Sequence, residues 1–311
     1  MEMLRTKRHR LNPRGPRALV LFLLFLPSTV VGYFRDVRHA DENRFVAVRT
    51  AQNDEGKQGE LKVLAEGFQS AIKNPFVALV RDADTYAALR KLDGNLPKLD
   101  DEFFKTKVVV AAFLGERNTG GYTIEISRDG AGIRVMEKKP GKDMMVTQMI
   151  TSPFKIVAVE SMSHQPGWLT LDDAWQSRMS TFQVTSARFA MSGGIAGTRE
   201  EFSLGGTIGV LRAGNLATLQ FRLIAPASTK RRALIEHATG VVGSDNKIKV
   251  GRMSADSFID PPNTGLQAEG MFSDRDKRLS LNLLSRPSMI ADGYSGQGSI
   301  EAGLAAEATK P

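Results

Sequence analysis

From Ser180 to Leu304 the chain is a succession of short segments in which apolar and polar residues alternate, each ended by a glycine, a proline or an Asp/Asn turn. A period of two puts successive side chains on opposite faces, the pattern of a β-strand. The segments are Phe182–Met191, Glu201–Leu204 resuming at Thr207–Leu211 after Gly205-Gly206, Leu216–Ile224, Arg232–Val242, Lys247–Met253, Gly265–Phe272, Arg278–Leu284 and Gly298–Leu304. The connections are short, so neighbouring strands run antiparallel. Eight or nine such strands in succession predict a meander closed as a barrel or folded as a sandwich. In Arg232–Val242 the alternation sets Leu234, Glu236, Ala238 and Gly240 on one side and Ile235, His237, Thr239 and Val241 on the other, with His237 expected on a partly exposed face.

Upstream, residues 61–162 predict a second β-rich domain. Strands are expected at Leu61–Phe68, Phe76–Val80, Val108–Phe113, Tyr122–Ile126, Ile133–Met136, Met144–Ile150 and Phe154–Val159. A short helix over Thr85–Leu92, capped by Asp82 or Asp84, carries Tyr86, Leu89 and Leu92 on one face. Leu96–Asp100 is expected as an extended connector. Val108–Phe113 is apolar throughout, as in a strand buried on both faces, whereas Tyr122–Ile126 alternates. Between them a polar loop closes on Gly120-Gly121, which tolerate backbone angles other residues avoid. That pattern predicts a hairpin presenting Arg117, Asn118, Thr119 and Tyr122 at one end. The fold class is therefore mainly β: two antiparallel β-rich domains, 61–162 with one short helix and 180–304 as a meander, joined by a connector over 163–179. In the connector, Leu171–Trp175 is either one helical turn or a staple between the domains.

The N-terminus has a different character. Six Lys/Arg lie in residues 1–17, followed by the apolar run Ala18–Leu26. A basic stretch before nine apolar residues matches a signal-peptide core better than a membrane span of about 20 residues. Residues 1–34 are read as a signal peptide or, counting on through Tyr33, an N-terminal membrane anchor, with the downstream chain carried across the membrane. Residues 35–60 are polar and of mixed charge, a linker with a short strand at Phe45–Val48. Residues 305–311 are a disordered tail.

The formal charge of +8 points first to nucleic acid, but +5 of it lies in residues 1–17. No basic stripe interleaved with aromatics follows, so no nucleic-acid partner is expected. The absence of cysteine removes disulfides, thiolate catalysis and zinc fingers together. The four histidines, His9, His39, His164 and His237, have no ligand spacing, and no cofactor or metal is expected. Ser192-Gly193-Gly194 has no nucleophile elbow around it and is read as a turn. The carboxylate groups Asp100-Asp101-Glu102, Asp172-Asp173 and Glu200-Glu201 are read as solvated charge, and no catalytic residue is assigned.

Three stretches taken together resemble a known family. They are Phe104-Lys105-Thr106-Lys107 before Val108-Val109-Val110, Leu114-Gly115 with Thr119-Gly120-Gly121-Tyr122-Thr123-Ile124, and Ile150-Thr151-Ser152-Pro153-Phe154-Lys155-Ile156-Val157. Over about residues 70–162 they are similar to the PrcB C-terminal domain family, named for a subunit of a secreted bacterial protease complex. Phe154 stands where that family often has tyrosine, and Asn118 where it often has proline. The resemblance implies an exported, non-catalytic module that binds or stabilises a protein partner such as a secreted protease. The Thr-Gly-Gly-Tyr loop is also similar, over three residues, to the loop that chagasin-type inhibitors insert into a protease cleft. The candidate binding residues are Arg117, Asn118, Thr119, Gly120, Gly121 and Tyr122. Two further readings stand beside the partner-binding one: an inhibitor using the Asn118–Tyr122 loop, and a carrier of a small apolar ligand in the C-terminal domain.

Overall fold

The computed structural model describes residues 61–130, 132–160, 167–193, 198–225, 233–253, 266–273, 277–285 and 295–305. The expected signal peptide or anchor at 1–34, the expected linker at 35–60 and the strand expected at Phe45–Val48, most of the expected Ser163–Gly167 turn and the expected tail beyond Ala305 lie outside the described residues. No helix among the described residues is long and apolar enough to cross a membrane.

The N-terminal half holds two small sheets. The elements in order are β1 (Leu61–Gly67), β2 (Phe76–Val80), α1 (Ala83–Leu92), α2 (Asp101–Thr106), β3 (Lys107–Phe113), β4 (Thr123–Asp129), β5 (Gly132–Lys138), β6 (Phe154–Glu160), β7 (Leu169–Leu171) and α3 (Asp173–Gln176). One sheet has the order β1-β6-β3-β2, all antiparallel; the other is β4-β5-β7, with β7 parallel to β5. β3 lies between β2 and β6, and Val108 through Phe113 are all fully buried, as expected for a strand covered on both faces. α1 starts where the Asp82 side chain accepts from the Thr85 amide, and it buries Tyr86 and Leu89. α2 occupies part of the stretch after the expected connector, with Asp100 as its cap.

Two expected features are corrected. β3 and β4 do not form a hairpin: β3 has both edges taken by β2 and β6, so the chain leaves that sheet after Phe113 and β4 pairs with β5 in the other. Met144–Ile150 is not a strand; its backbone bonds to the loop that follows β3 instead of joining a ladder.

The C-terminal half is a closed barrel. Its strands are β8 (Ser180–Gly193), β9 (Thr198–Ser203), β10 (Gly205–Ala213), β11 (Leu216–Ile224), β12 (Ala233–Val242), β13 (Lys247–Met253), β14 (Leu266–Ser273), β15 (Arg278–Ser285) and β16 (Ser295–Leu304). Each pairs antiparallel with the next from β10 to β16. β16 returns to β8, and the first residues of β8 pair with β10, which closes an eight-strand ring. β9 runs on through Leu204 into β10 and pairs with the far half of β8. Ser192 and Gly193 therefore lie in a strand, not a turn. Of the two forms the alternation left open, this is the barrel. Its inward positions are filled by side chains such as Phe221, Leu219, Leu234, Leu281 and Ile300, all at 0% exposure. The alternation of β8 slips once, at a bulge that skips Thr185 in the pairing with β16, so the inward set passes from Phe182 to Ala187 and Phe189.

The β-sheet half and the barrel meet along β2, α1, β11 and β12. β2 is an edge strand, and unpaired edge groups need partners. The barrel supplies them from its outer face: the Leu79 amide donates to Thr239 Oγ1 at 2.9 Å, and Thr218 Oγ1 donates to the Val77 carbonyl at 2.6 Å. The two hydroxyls are themselves 2.9 Å apart. Trp175 of α3 pins the other end of β2, its Nε1–H shared between the carbonyls of Phe76 and Phe113 at 3.2 and 2.9 Å. The sheet core extends onto the barrel's outer residues Leu211, Ala213 and Leu216.

His237 belongs to this joint and is completely buried, not partly exposed as expected. Its Nδ1 accepts from the Leu169 amide at 3.1 Å, its Nε2 lies 3.0 Å from the Gln220 side-chain amide, and Trp168 stacks edge-on at 4.5 Å. Burial, followed by the positive charges of Arg222 and Arg81, pushes its pKa down to about 3. The ring is neutral at ordinary pH. With Nδ1 accepting, its hydrogen sits on Nε2, and Gln220 receives it through the oxygen of its side-chain amide, the orientation of that amide being fixed by the histidine tautomer.

Candidate functional site

Two of the three stretches that carry the family resemblance, the loop after β3 and the segment entering β6, touch in the fold. Arg117 and Thr151 form an isolated antiparallel bridge, the Arg117 amide donating to the Thr151 carbonyl at 2.8 Å and the Thr151 amide returning at 2.9 Å. Thr151 Oγ1 donates to the Thr119 carbonyl at 3.0 Å, and the Gly120 amide donates to the Thr147 carbonyl at 2.9 Å. The Leu114 amide donates to the Pro153 carbonyl at 3.0 Å. The loop after β3 is therefore stitched along its length to the segment that enters β6. Thr151 and Ser152 are buried at 3% and 0% exposure, which explains two polar residues leading into an apolar strand.

The glycines serve this contact. Gly121 has φ +85°, and a side chain there would meet Val146 and Pro140 at under 3 Å. Gly115 has φ +72°, and a Cβ there would lie 2.6 Å from the Lys73 carbonyl oxygen, against which the loop is pressed.

Arg117 is held from several sides. Its Nε donates to Glu137 Oε1 at 2.8 Å, with Nη2 also 2.8 Å from that oxygen. Its Nη1 donates to the carbonyls of Leu114 and Glu116 at 2.8 and 3.0 Å. The guanidinium stands 5.6 Å from the centre of the Tyr122 ring, and Tyr122 is half-buried against the sheet core. Glu137 is itself fixed, its amide donating to the Asp172 carboxylate that caps α3. Asp172 is thus a structural acceptor, as is Asp100 at α2, and neither is simply solvated charge. Among the six candidate residues, Arg117 and Tyr122 brace the loop, Thr119 is half-buried, Gly120 is buried, and Asn118 and Gly121 are exposed.

Sequence reasoning missed the surface beside them. In the segment bonded to the loop, Met144, Met145, Met149 and Ile150 are exposed by 62%, 101%, 54% and 59%. Phe68, at 54%, adjoins its end: the Ser152 amide donates to the Phe68 carbonyl, and the Gln69 side chain donates to the Ile150 carbonyl. Apolar side chains grouped on a surface mark binding sites, and methionine adapts to varied partners. The clue in the sequence was Met144-Met145 and Met149-Ile150, which the strand reading of this stretch absorbed. Among the described residues no three His, Asp or Glu side chains gather as a metal-binding group.

The fold is thus a pair of small β-sheets joined to a closed antiparallel barrel, with a braced loop and an apolar strip on the sheet half. Residues 108–160 match the family model described as PrcB C-terminal, bearing out the resemblance over β3 to β6 and both sides of the loop contact. No curated protein and no solved structure matches the chain.

Proposed function

We propose that this is a non-catalytic, exported protein that binds and stabilises a protein partner, a component of a secreted protease complex, through the loop at Asn118–Gly121 and the strip at Met144–Ile150. The observation that carries the reading is the set of exposed apolar residues bonded through the backbone to the family-matching loop. The basic and apolar leader at residues 1–26 supports export, with its processing either by cleavage or by retention as an anchor. Arg117, Thr119, Gly120 and Tyr122 hold the binding surface in shape, while Asn118 and Gly121 present it. The inhibitor reading draws less support, because Tyr122, the residue a cleft would receive, is packed under Arg117. The apolar carrier reading finds the barrel's inward positions occupied by its own side chains.

The test is capture from an envelope extract with the full chain and with a Met145→Asp/Met149→Asp variant. A protease-complex component captured by the first and lost with the second supports the reading. Equal capture by both, or capture of no such component, refutes it.

A further inference from the structure

The chain has no cysteine, so the thioethers of its 12 methionines are its only sulfur. Three of them, Met144, Met145 and Met149, fall in the segment bonded to the loop after β3, and each is more than half exposed. Other methionines are placed differently. Met253 lies inside the barrel at 1% exposure, Met179 packs against the sheet core, and Met136 is half-buried in β5. Met271 is exposed, at 45%, but stands on the outer wall of the barrel in β14.

The segment sorts its side chains by chemistry. Val146 and Thr147 turn toward the loop: a Cβ on Gly121 would meet the Val146 side chain at 2.8 Å, and one on Gly120 would collide with Thr147 Oγ1. Neither of these packed residues carries sulfur. The apolar atoms that face solvent are those of the three thioethers, with Ile150 beside them. The backbone is anchored without them. The Met144 amide donates to the Gly141 carbonyl at 3.0 Å, the Thr147 carbonyl accepts from Gly120, and Thr151 exchanges both its bonds with Arg117. A change at the sulfur atoms therefore alters the surface and leaves its scaffold in place.

We propose that Met144, Met145 and Met149 are a site of oxidation by peroxides, and that their conversion to sulfoxide switches off the docking surface. In each step a sulfur lone pair attacks one oxygen of the peroxide, and the S–O bond forms as the O–O bond breaks. The sulfur loses two electrons. With hydrogen peroxide the second oxygen leaves as water and carries both protons, so no residue of the chain has to supply one. Each sulfoxide puts a polar group where the strip was apolar, and a partner that covers the strip buries that group without a hydrogen bond. Methionine sulfoxide reductases reverse the step, which makes it a switch. The switch rests on the partner-binding reading; the oxidation site does not.

The experiment treats the full chain with hydrogen peroxide and follows it by peptide mass mapping, by retention on a phenyl matrix and by capture from envelope extract. Met144, Met145 and Met149 are converted at least about tenfold faster than Met253, since susceptibility follows exposure. At that stage the melting temperature is unchanged and retention has fallen. Capture of the protease-complex component falls at least about tenfold, the cost of burying an unpaired polar group, and methionine sulfoxide reductases restore it. In Met144→Leu/Met145→Leu/Met149→Leu, capture does not respond to peroxide, whatever its starting level, whereas Met271→Leu responds in full. Met253 converted as fast as the three, or retention unchanged after their conversion, overturns the oxidation site. Unchanged capture by the converted chain, or an equal fall in the leucine-substituted chain, overturns the switch. If the untreated chain captures no such component, the partner-binding reading fails and the switch with it, while mapping and retention still decide the oxidation site.

Discussion

Arg81 of the sheet half and Glu236 of the barrel form an ion pair at 2.9 Å, their side chains 1% and 2% exposed. Glu236 occupies an inward position of β12, between the inward Leu234 and Ala238, so the guanidinium meets it from within the wall. The route is visible in the strand pairing. β12 and β13 are paired only over Gly240–Val242 and Ile248–Val250, and Arg81 Nη1 donates to the carbonyls of His237 and Arg252 beyond that point, at 3.2 and 3.1 Å. The arginine fills a gap between two strands and replaces the ladder bonds they lack. Removing one member of a buried pair strands the other's charge, at about 3–5 kcal/mol, whereas an apolar replacement of both is far milder. Arg81→Met is therefore expected to lose about that much in urea unfolding, and Arg81→Met/Glu236→Leu to regain most of it. A single substitution costing under about 1 kcal/mol would show that the pair does not hold the joint.

His237 gives the joint a pH dependence whose sign follows from its pKa. Folded, the ring titrates at about 3; unfolded, at the ordinary 6.5. Below pH 6.5 the unfolded chain takes up a proton that the folded chain refuses, so stability is full above 6.5 and falls as the pH drops toward 3. The slope is at most about 1.4 kcal/mol per pH unit. Between pH 6.5 and 5 most carboxylates stay ionised, which isolates the histidine. His237→Gln is expected to be less stable at pH 7 and to lose this slope in denaturant melts between those two pH values. A slope equal to that of the unsubstituted chain would assign it to another group.

How much of this was legible depends on what alternation encodes. In β10 to β16 period two marked the inward residues correctly, because neighbours in sequence are neighbours in the ring and local pattern equals global pairing. The same alternation set Thr218 and Thr239 on an outer face, which by itself reads as solvent. Nothing local says that the face is covered by β2, whose edge these hydroxyls satisfy. The β3–β4 hairpin failed for a related reason. Strand–glycine–strand is a hairpin only if the first strand has a free edge, and β3 has none. The loop residues were found because their glycines and the Thr151-Ser152-Pro153 element are sequence-local, while their contact with each other is not. Met144–Ile150 has strand-like composition, and its carbonyl at Thr147 goes to Gly120 instead of a ladder.

The glycines of the sheet half separate conformational strain from collision. Gly130 has φ +58° and no atom within 4 Å of an added Cβ, so Gly130→Ala costs only the left-handed conformation, about 1–2 kcal/mol. Gly115, at φ +72°, adds a Cβ 2.6 Å from backbone that cannot swing aside. Gly115→Ala is therefore expected to cost more than Gly130→Ala in a thermal or urea melt. Equal destabilisation by the two substitutions would mean that the close approach is not maintained.

The apolar strip separates binding from folding. Met145 is fully exposed and Met149 is more than half exposed, so their side chains contribute little to the folded state. Surface substitutions of that kind change stability by about 0.5 kcal/mol or less. At an interface, exposed methionine and isoleucine are desolvated by the partner, and a carboxylate placed there is buried without a counter-charge, which costs several kcal/mol in affinity. Met145→Asp/Met149→Asp is therefore expected to melt like the unsubstituted chain and to bind the partner at least about a hundredfold more weakly, as read by surface plasmon resonance with the captured component. Asn118→Ala, at the exposed tip of the loop, is expected to weaken it less, because one rim hydrogen bond is worth about 1 kcal/mol. If the doubly substituted chain melts normally and binds unchanged, the strip is not the docking surface. If Asn118→Ala is the more damaging change, recognition lies in the loop itself.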